Sequence, residues 1–175
     1  MCIRDRWDFT GQKRPPFAVE PKAGQESAWD YPRPPDTRPD HRRVVVRSGD
    51  KLIAESAHSL RVCETASPPT FYLPPDAVDM NQLAVIEHQT FCEWKGYARY
   101  WALAGDPEGQ PAAWSYPSPL SAFEAIRDWL CFYPARVACF VDGEAVRPQR
   151  SPFYGGWITD EVVGPFKGDP GTAGW

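Results

Sequence analysis

Short runs of alternating apolar and polar residues, separated by proline and glycine, dominate the chain from Arg43 to Val141. Val44-Val45-Val46 and Lys51-Leu52-Ile53-Ala54-Glu55 flank Ser48-Gly49-Asp50 and predict a β-hairpin with β-branched strands and a glycine corner. Ser59 to Glu64 alternates as a third strand, with Leu60 and Val62 on one face and Arg61 and Cys63 on the other. Pro68-Pro69 interrupts it, and Thr70-Phe71-Tyr72-Leu73 forms a fourth strand closed by Pro74-Pro75. Leu83 to Glu87 supplies a fifth. Phe91 to Leu103 predicts a long strand or strand pair with Gly96 as a bulge. Ala112 to Tyr116 and Val137 to Val141 complete the set, the last running into a tight Asp142-Gly143 turn.

One segment carries the helical period instead. Over 119–131, Phe123, Ile126 and Leu130 recur at helical spacing, with Ala122 and Trp129 beside them. Ser118 suits the N-cap, Pro119 suits the first helical position, and Tyr133-Pro134 ends the run. A single α-helix is predicted there. Residues 7–42 lack periodicity and are rich in Pro, Arg and Asp, predicting an irregular N-terminal arm that Trp29 and Tyr31 pin to the main domain. Residues 149–175 are punctuated by glycine and carry Trp157, Phe166 and Trp175, predicting a wrapped C-terminal arm. The expected architecture is mainly β: one compact antiparallel domain over 43–148, built from two packed sheets, with one helix and two irregular arms. Ala28-Trp29-Asp30-Tyr31-Pro32 recurs as Ala113-Trp114-Ser115-Tyr116-Pro117, but the likeness stops there and implies no duplication.

Composition sharpens this picture. A chain of 175 residues is long enough for one domain with a core and ordered extensions. Its 20 prolines oppose long helices, because each removes a backbone donor and fixes its own φ. The net charge is −4 with no block of like charge, so no nucleic-acid partner is expected. No apolar run approaches membrane-spanning length, so no membrane partner is expected either. Met1 to Arg6 matches the translation of a transposase end sequence used in sequencing libraries and is set aside as adapter, which leaves open a native start upstream. Cys63, Cys92, Cys131 and Cys139 form no C-x-x-C pair, and His41, His58 and His88 have no ligand-like spacing. They read as free thiols in a cytoplasmic protein, with no metal and no cofactor. The oligomeric state stays open.

Several blocks resemble the bacterial domain of unknown function 427. They are Glu64-Thr65 with Pro-Thr-Phe-Tyr-Leu-Pro (69–74), Thr-Phe-Cys-Glu-Trp-Lys-Gly-Tyr-Ala-Arg-Tyr-Trp (90–101), Ala-Trp-Ser-Tyr-Pro (113–117), Phe-Tyr-Pro (132–134) and Val-Asp-Gly-Glu (141–144). Outer blocks at 25–35, 154–158 and 164–168 are similar to extended members, so the likeness runs from about Gly24 to Trp175. Glu93-Trp94 stands where the family usually has a proline after the cysteine. The resemblance implies a compact, mainly antiparallel β domain similar to the β-tent group. Zinc-bearing relatives in that group carry cysteine pairs absent here, so the metal does not carry over. Some members are labelled nucleotidyltransferase; this chain has neither a Gly-Ser with paired carboxylates nor a glycine-rich phosphate cradle to support that.

The candidate chemistry centres on Lys95. Beside Gly96 and several rings it could be desolvated into a base or Schiff-base nucleophile, or hold an anionic ligand by charge. The plainer alternative is a snorkelling lysine over aromatic faces, paired with Glu93 or Glu64. Glu64 is a general base or an acceptor for a ligand amine, or else caps backbone donors in the Thr65 to Pro68 turn. Tyr72, Tyr100, Trp114, Tyr116 and Tyr133 could line a pocket for a flat ligand, or simply be core. Cys92 would be a nucleophile only with a basic partner, for which His88 is the nearest candidate. Three functions remain: a small-ligand binder anchored by Lys95 and Glu64, an enzyme using Lys95 as acid/base or nucleophile, and an interaction module without a pocket.

Overall fold

A computed structural model describes residues 8–173 and 175; the adapter-like Met1 to Arg6 lies outside the described residues. The fold is mainly β. Strands β1 (Glu26–Ser27), β2 (Asp36–Asp40), β3 (Val44–Ser48), β4 (Lys51–Ser56), β5 (Ser59–Cys63) and β6 (Thr70–Tyr72) occupy the first part of the chain. They are followed by β7 (Leu83–Cys92), β8 (Gly96–Leu103), β9 (Pro111–Ser115), β10 (Leu130–Phe132) and β11 (Ala138–Val141). Four two-residue strands close the chain: β12 (Glu144–Ala145), β13 (Arg147–Pro148), β14 (Trp157–Ile158) and β15 (Val162–Val163).

These strands form two four-stranded antiparallel sheets, ordered β10-β9-β8-β7 and β12-β11-β3-β4, and a three-stranded sheet ordered β2-β5-β6. Two-stranded pairs β1-β15 and β13-β14 tie down the arms, so the sheets outnumber the two expected. Reciprocal backbone bonds between Leu73 and Leu130 (2.8 and 2.9 Å) join the three-stranded sheet to the first four-stranded one.

Period-two alternation then decides which side chains meet. Phe71 on β6, Leu73 just after it, and Leu130 and Phe132 on β10 face a core shared with Val44, Val46, Ile53 and Trp157. The alternate residues Tyr72 and Cys131 face a second cluster with Tyr100, Trp114, Tyr116, Phe123 and Ile126. Strands buried on both faces thus separate a mainly aliphatic core from a mainly aromatic one. Trp157 secures the C-terminal arm: it is fully buried, stacks on Phe71 with centroids 5.0 Å apart, and donates from Nε1 to the Phe132 carbonyl at 2.9 Å.

Three expectations change in detail. The predicted α-helix over 119–131 is a 3-10 segment, Ser121–Ile126, with non-helical Phe123 (φ −116°) inside it and Leu120 as its N-cap. The i, i+3 spacing of Phe123 and Ile126 serves a 3-10 turn as well as an α-turn. Asp128 at φ 61° then redirects the chain so that Leu130–Phe132 pairs with β9, and tertiary pairing overrides the helical period. Gly96 (φ 99°) re-enters β8 after a three-residue hairpin loop; the register break between β7 and β8 lies at Ile86/Gln89 instead. The N-terminal segment is not irregular throughout, since β2 pairs along its whole length with β5.

The N-terminal arm is held by a partly buried ionic network. Arg61, 8% exposed, contacts Glu26 at 3.0 Å and Asp40 at 3.1 Å, and Tyr31 Oη donates to Glu26 at 2.7 Å. The Arg61 Nε to Asp40 approach is close in distance but out of line for a hydrogen bond. Arg42 extends the network to Asp40 at 2.6 Å and to Glu161 in the C-terminal arm. Trp29, fully buried, donates to the Pro165 carbonyl at 3.0 Å. Among the described residues, no helix is long and apolar enough to cross a membrane.

Candidate functional site

The β7–β8 hairpin carries Thr90, Cys92, Lys95 and Tyr100 to one edge of the aromatic cluster. Its loop is fixed from outside, because Leu120 N donates to the Lys95 carbonyl at 3.0 Å. A positive φ at Gly96 lets the chain turn back into β8 there. From the opposite side, the turn after β5 brings Glu64, Ser67 and Pro68. Ser67 N donates to the Glu64 carbonyl at 3.0 Å, and Ala66 adopts φ 67° to close the turn.

Between these two walls lies a cleft of about 200 Å³. Glu64, Tyr72, Lys95, Tyr100, Trp114, Tyr116 and Tyr133 all line it. The rings are locked together. Trp114 Nε1 donates to Tyr72 Oη at 2.9 Å, Tyr100 Oη shares a 2.7 Å hydrogen bond with Thr90 Oγ1, and Tyr133 lies 4.5 Å from Trp114 between centroids. Burial pushes the Tyr72 phenol well up from its ordinary value, and raises those of Tyr116 and Tyr133 in the same direction. They are neutral hydroxyls at physiological pH and can donate or accept but not supply charge.

Lys95 Nζ sits 5.7 Å from the Tyr116 ring centroid and 5.9 Å from that of Phe123. Neither Glu64 nor Glu93 pairs with it. Both are engaged by Arg33, whose Nη1 donates to Glu64 Oε1 at 2.9 Å and whose Nη2 lies 3.6 Å from Glu93 Oε1. The Arg33 guanidinium also stands over the Trp94 ring at 5.6 Å. Among the described residues no carboxylate lies within 4.0 Å of the Lys95 ammonium. The Glu64 side chain therefore borders the cleft as an acceptor fixed by Arg33, and its role as a cap on the Thr65 to Pro68 turn falls to its backbone carbonyl.

Cys92 lines the cleft, while His88 stands against Tyr100 at 5.5 Å, and no hydrogen bond joins the two among the described residues. Cys131 is fully buried beneath the rings, and burial pushes its thiol well up. Among the described residues no three His, Cys, Asp or Glu side chains converge on a point fit for a metal ion.

Three contributors lie outside the candidate site residues that the sequence offers. Arg33 lies in a proline-rich arm where nothing local marks a guanidinium for burial. Gly155 lets the C-terminal arm touch the aromatic wall: a Cβ there would lie 2.6 Å from Trp114 Cη2 and 2.9 Å from Tyr133 Cδ1. Gln149, 6% exposed, fixes the same loop by donating to the Lys167 carbonyl at 2.6 Å and accepting from Gly156 N at 3.0 Å. The adjacent Gly155-Gly156 pair was the available signal, since paired glycines mark a close backbone approach.

Fold and cleft define a class: a mainly antiparallel β domain whose second, aromatic core opens into a cleft with one lysine at its edge. A family model described as Domain of unknown function (DUF427) matches residues 36–143, and the chain belongs to that family. The match spans β2 to the Asp142-Gly143 turn and contains all seven of the residues first singled out; Arg33 and the 149–156 loop lie outside it. No curated protein matches the chain.

Proposed function

We propose that the cleft binds a small, flat ligand bearing an anionic group, with its plane against the Tyr72, Tyr100, Trp114, Tyr116 and Tyr133 wall and its charge at Lys95. The observation that carries this reading is the Lys95 ammonium, which borders the cleft over two rings while both neighbouring carboxylates are taken by Arg33. A cation bordering a cleft with no carboxylate within 4.0 Å among the described residues favours an anion supplied from solution. Neutral phenols and the Thr90 hydroxyl add orienting hydrogen bonds, and Glu64 supplies a fixed acceptor for a donor on the ligand. The buried thiols of Cys63, Cys131 and Cys139, with half-buried Cys92, suit a reducing compartment such as the bacterial cytoplasm.

Cinnamate, a planar aromatic carboxylate, is a suitable probe. Titration calorimetry is expected to give saturable binding to the wild type that Lys95→Gln weakens by about ten-fold or more, with an unchanged melting temperature in the absence of ligand. Equal affinity of wild type and Lys95→Gln, or no binding by either, would remove the support for this reading.

A further inference from the structure

A second cleft of about 260 Å³ adjoins the first. The two clefts meet along Thr90, Tyr100, Tyr133, Gln149, Phe153, Tyr154 and Gly155, which line both, and Tyr133 Oη donates to the Phe153 carbonyl at 3.4 Å along this seam. Each alone is smaller than the roughly 300–1,000 Å³ usual for ligand sites, whereas the pair falls within that range. His88, Gln110 and Arg136 line the second cleft and not the first.

Basic side chains outnumber acidic ones along the two clefts. Glu64 is the single carboxylate lining either cleft among the described residues, and it is already paired with Arg33. Lys95 lines only the first cleft and Arg136 only the second, in a chain with 23 acidic and 19 basic residues, so a lining with two basic side chains and one acidic one runs against the average. Arg136 touches Asp106 through Nη2 at 3.3 Å, a long contact that leaves most of the five guanidinium donors for another acceptor. Asp106 has its own partners in the Glu108 and Gln110 backbone N–H groups, both at 3.1 Å, and does not require Arg136. Phe153 and Tyr154, 55% and 41% exposed, border both clefts with apolar surface that faces solvent.

We infer that the two clefts form one trough for an elongated ligand with an anionic group at each end, Lys95 taking one and Arg136 with His88 the other, and a flat apolar middle lying over Tyr100 and Tyr133. The inference rests on the reading of the first cleft as an anion site. Its second end is a guanidinium and an imidazole, donors that suit a carboxylate or phosphate oxygen.

The test compares p-phenylenediacrylate, a rigid planar diacid, with its monomethyl ester, which has nearly the same shape and one charge fewer. Calorimetry on the full chain is expected to show the diacid binding about three- to ten-fold tighter than the monoester, a preference that shrinks as salt is raised. In Arg136→Gln the preference is expected to fall toward unity, with His88→Gln reducing it in part. If wild type binds cinnamate but does not distinguish diacid from monoester, the second end is overturned and the first cleft stands. The second end is overturned in the same way if Arg136→Gln and His88→Gln both keep the full preference. If wild type binds none of the three compounds, the anion reading of the first cleft fails with it.

Discussion

Arg33 donates to Glu64 across 2.9 Å and, in doing so, takes away the carboxylate that would otherwise be the natural partner of Lys95. A residue from the N-terminal arm thereby sets the charge of a cleft built from the β5–β6 turn and the β7–β8 hairpin. Arg33→Met keeps an unbranched side chain over Trp94 but removes the charge. It is expected to cost about 1–3 kcal/mol of stability, because the partly buried Glu64 and Glu93 each lose a charge-assisted partner. It is also expected to weaken cinnamate binding, since Glu64 is released to compete for Lys95. Urea denaturation and calorimetry check the two effects separately, and a variant with full affinity would show that Arg33 only braces the arm.

Gly155 is held against the aromatic wall by lack of room, not by its backbone angle. Gly155→Ala would place a methyl group 2.6 Å from Trp114 Cη2 and 2.9 Å from Tyr133 Cδ1, well inside van der Waals contact. Overpacking of this kind costs about 1–3 kcal/mol when neighbours cannot yield. The expected result is a lower denaturation midpoint together with a changed tryptophan emission spectrum, as Trp114 and Tyr133 are pushed apart. A variant with wild-type stability and emission would mean that the 149–156 loop is lifted at little cost.

The strands were legible because period-two alternation and proline breaks are local signals. The hairpin at Val44 to Glu55, the strand at Thr70 to Leu73 and the Asp142-Gly143 turn stand where the sequence places them. The seven site candidates were legible through composition: rings, a lysine and a glutamate concentrated in a few short strands converge on one cleft. What could not be read was set by distant pairing. Leu130–Phe132 is a strand because β9 is beside it, and Asp36–Asp40 because β5 is. Arg33 belongs to the site because its arm is fastened just ahead of it, at Trp29 and Pro32, and just beyond it, where β2 pairs with β5 from Asp36 onward. Trp29 donates to the Pro165 carbonyl at 3.0 Å, and Thr65 N donates to the Pro32 carbonyl at 3.2 Å.

Trp157 joins the C-terminal arm to the aliphatic core by packing and by one hydrogen bond, and two variants separate these. Trp157→Phe preserves stacking on Phe71 but leaves the Phe132 carbonyl without its donor, at an expected cost of about 1–3 kcal/mol. Trp157→Ala also opens a cavity and is expected to cost about 3–5 kcal/mol. Measured by chemical denaturation, equal losses in the two would assign the whole effect to the hydrogen bond and none to burial.

The ionic network around Arg61 gives the fold an acid limit. Burial pushes the carboxyls of Glu26 and Asp40 up, but it is outweighed at Glu26 by hydrogen bonds from Arg61 and Tyr31, and at Asp40 by those from Arg42. Both therefore lie below their ordinary values of 4.5 and 3.8. A carboxyl depressed on folding binds its proton less readily in the folded state than in the unfolded one, so the unfolded chain takes up more protons as pH falls. Its contribution is complete above the unfolded value and is lost progressively as pH drops through that value toward the lower folded one. Stability is thus expected to be flat from neutral pH to about pH 5 and to decline below it. Glu26→Gln retains an oxygen acceptor for Tyr31 and Arg61 but cannot titrate. It should be less stable than wild type at neutral pH, with the difference narrowing between about pH 5 and pH 3. Urea midpoints across that range decide the matter: parallel curves for the two proteins would place the acid sensitivity elsewhere, and converging curves assign it to the carboxylate that Arg61 and Tyr31 hold.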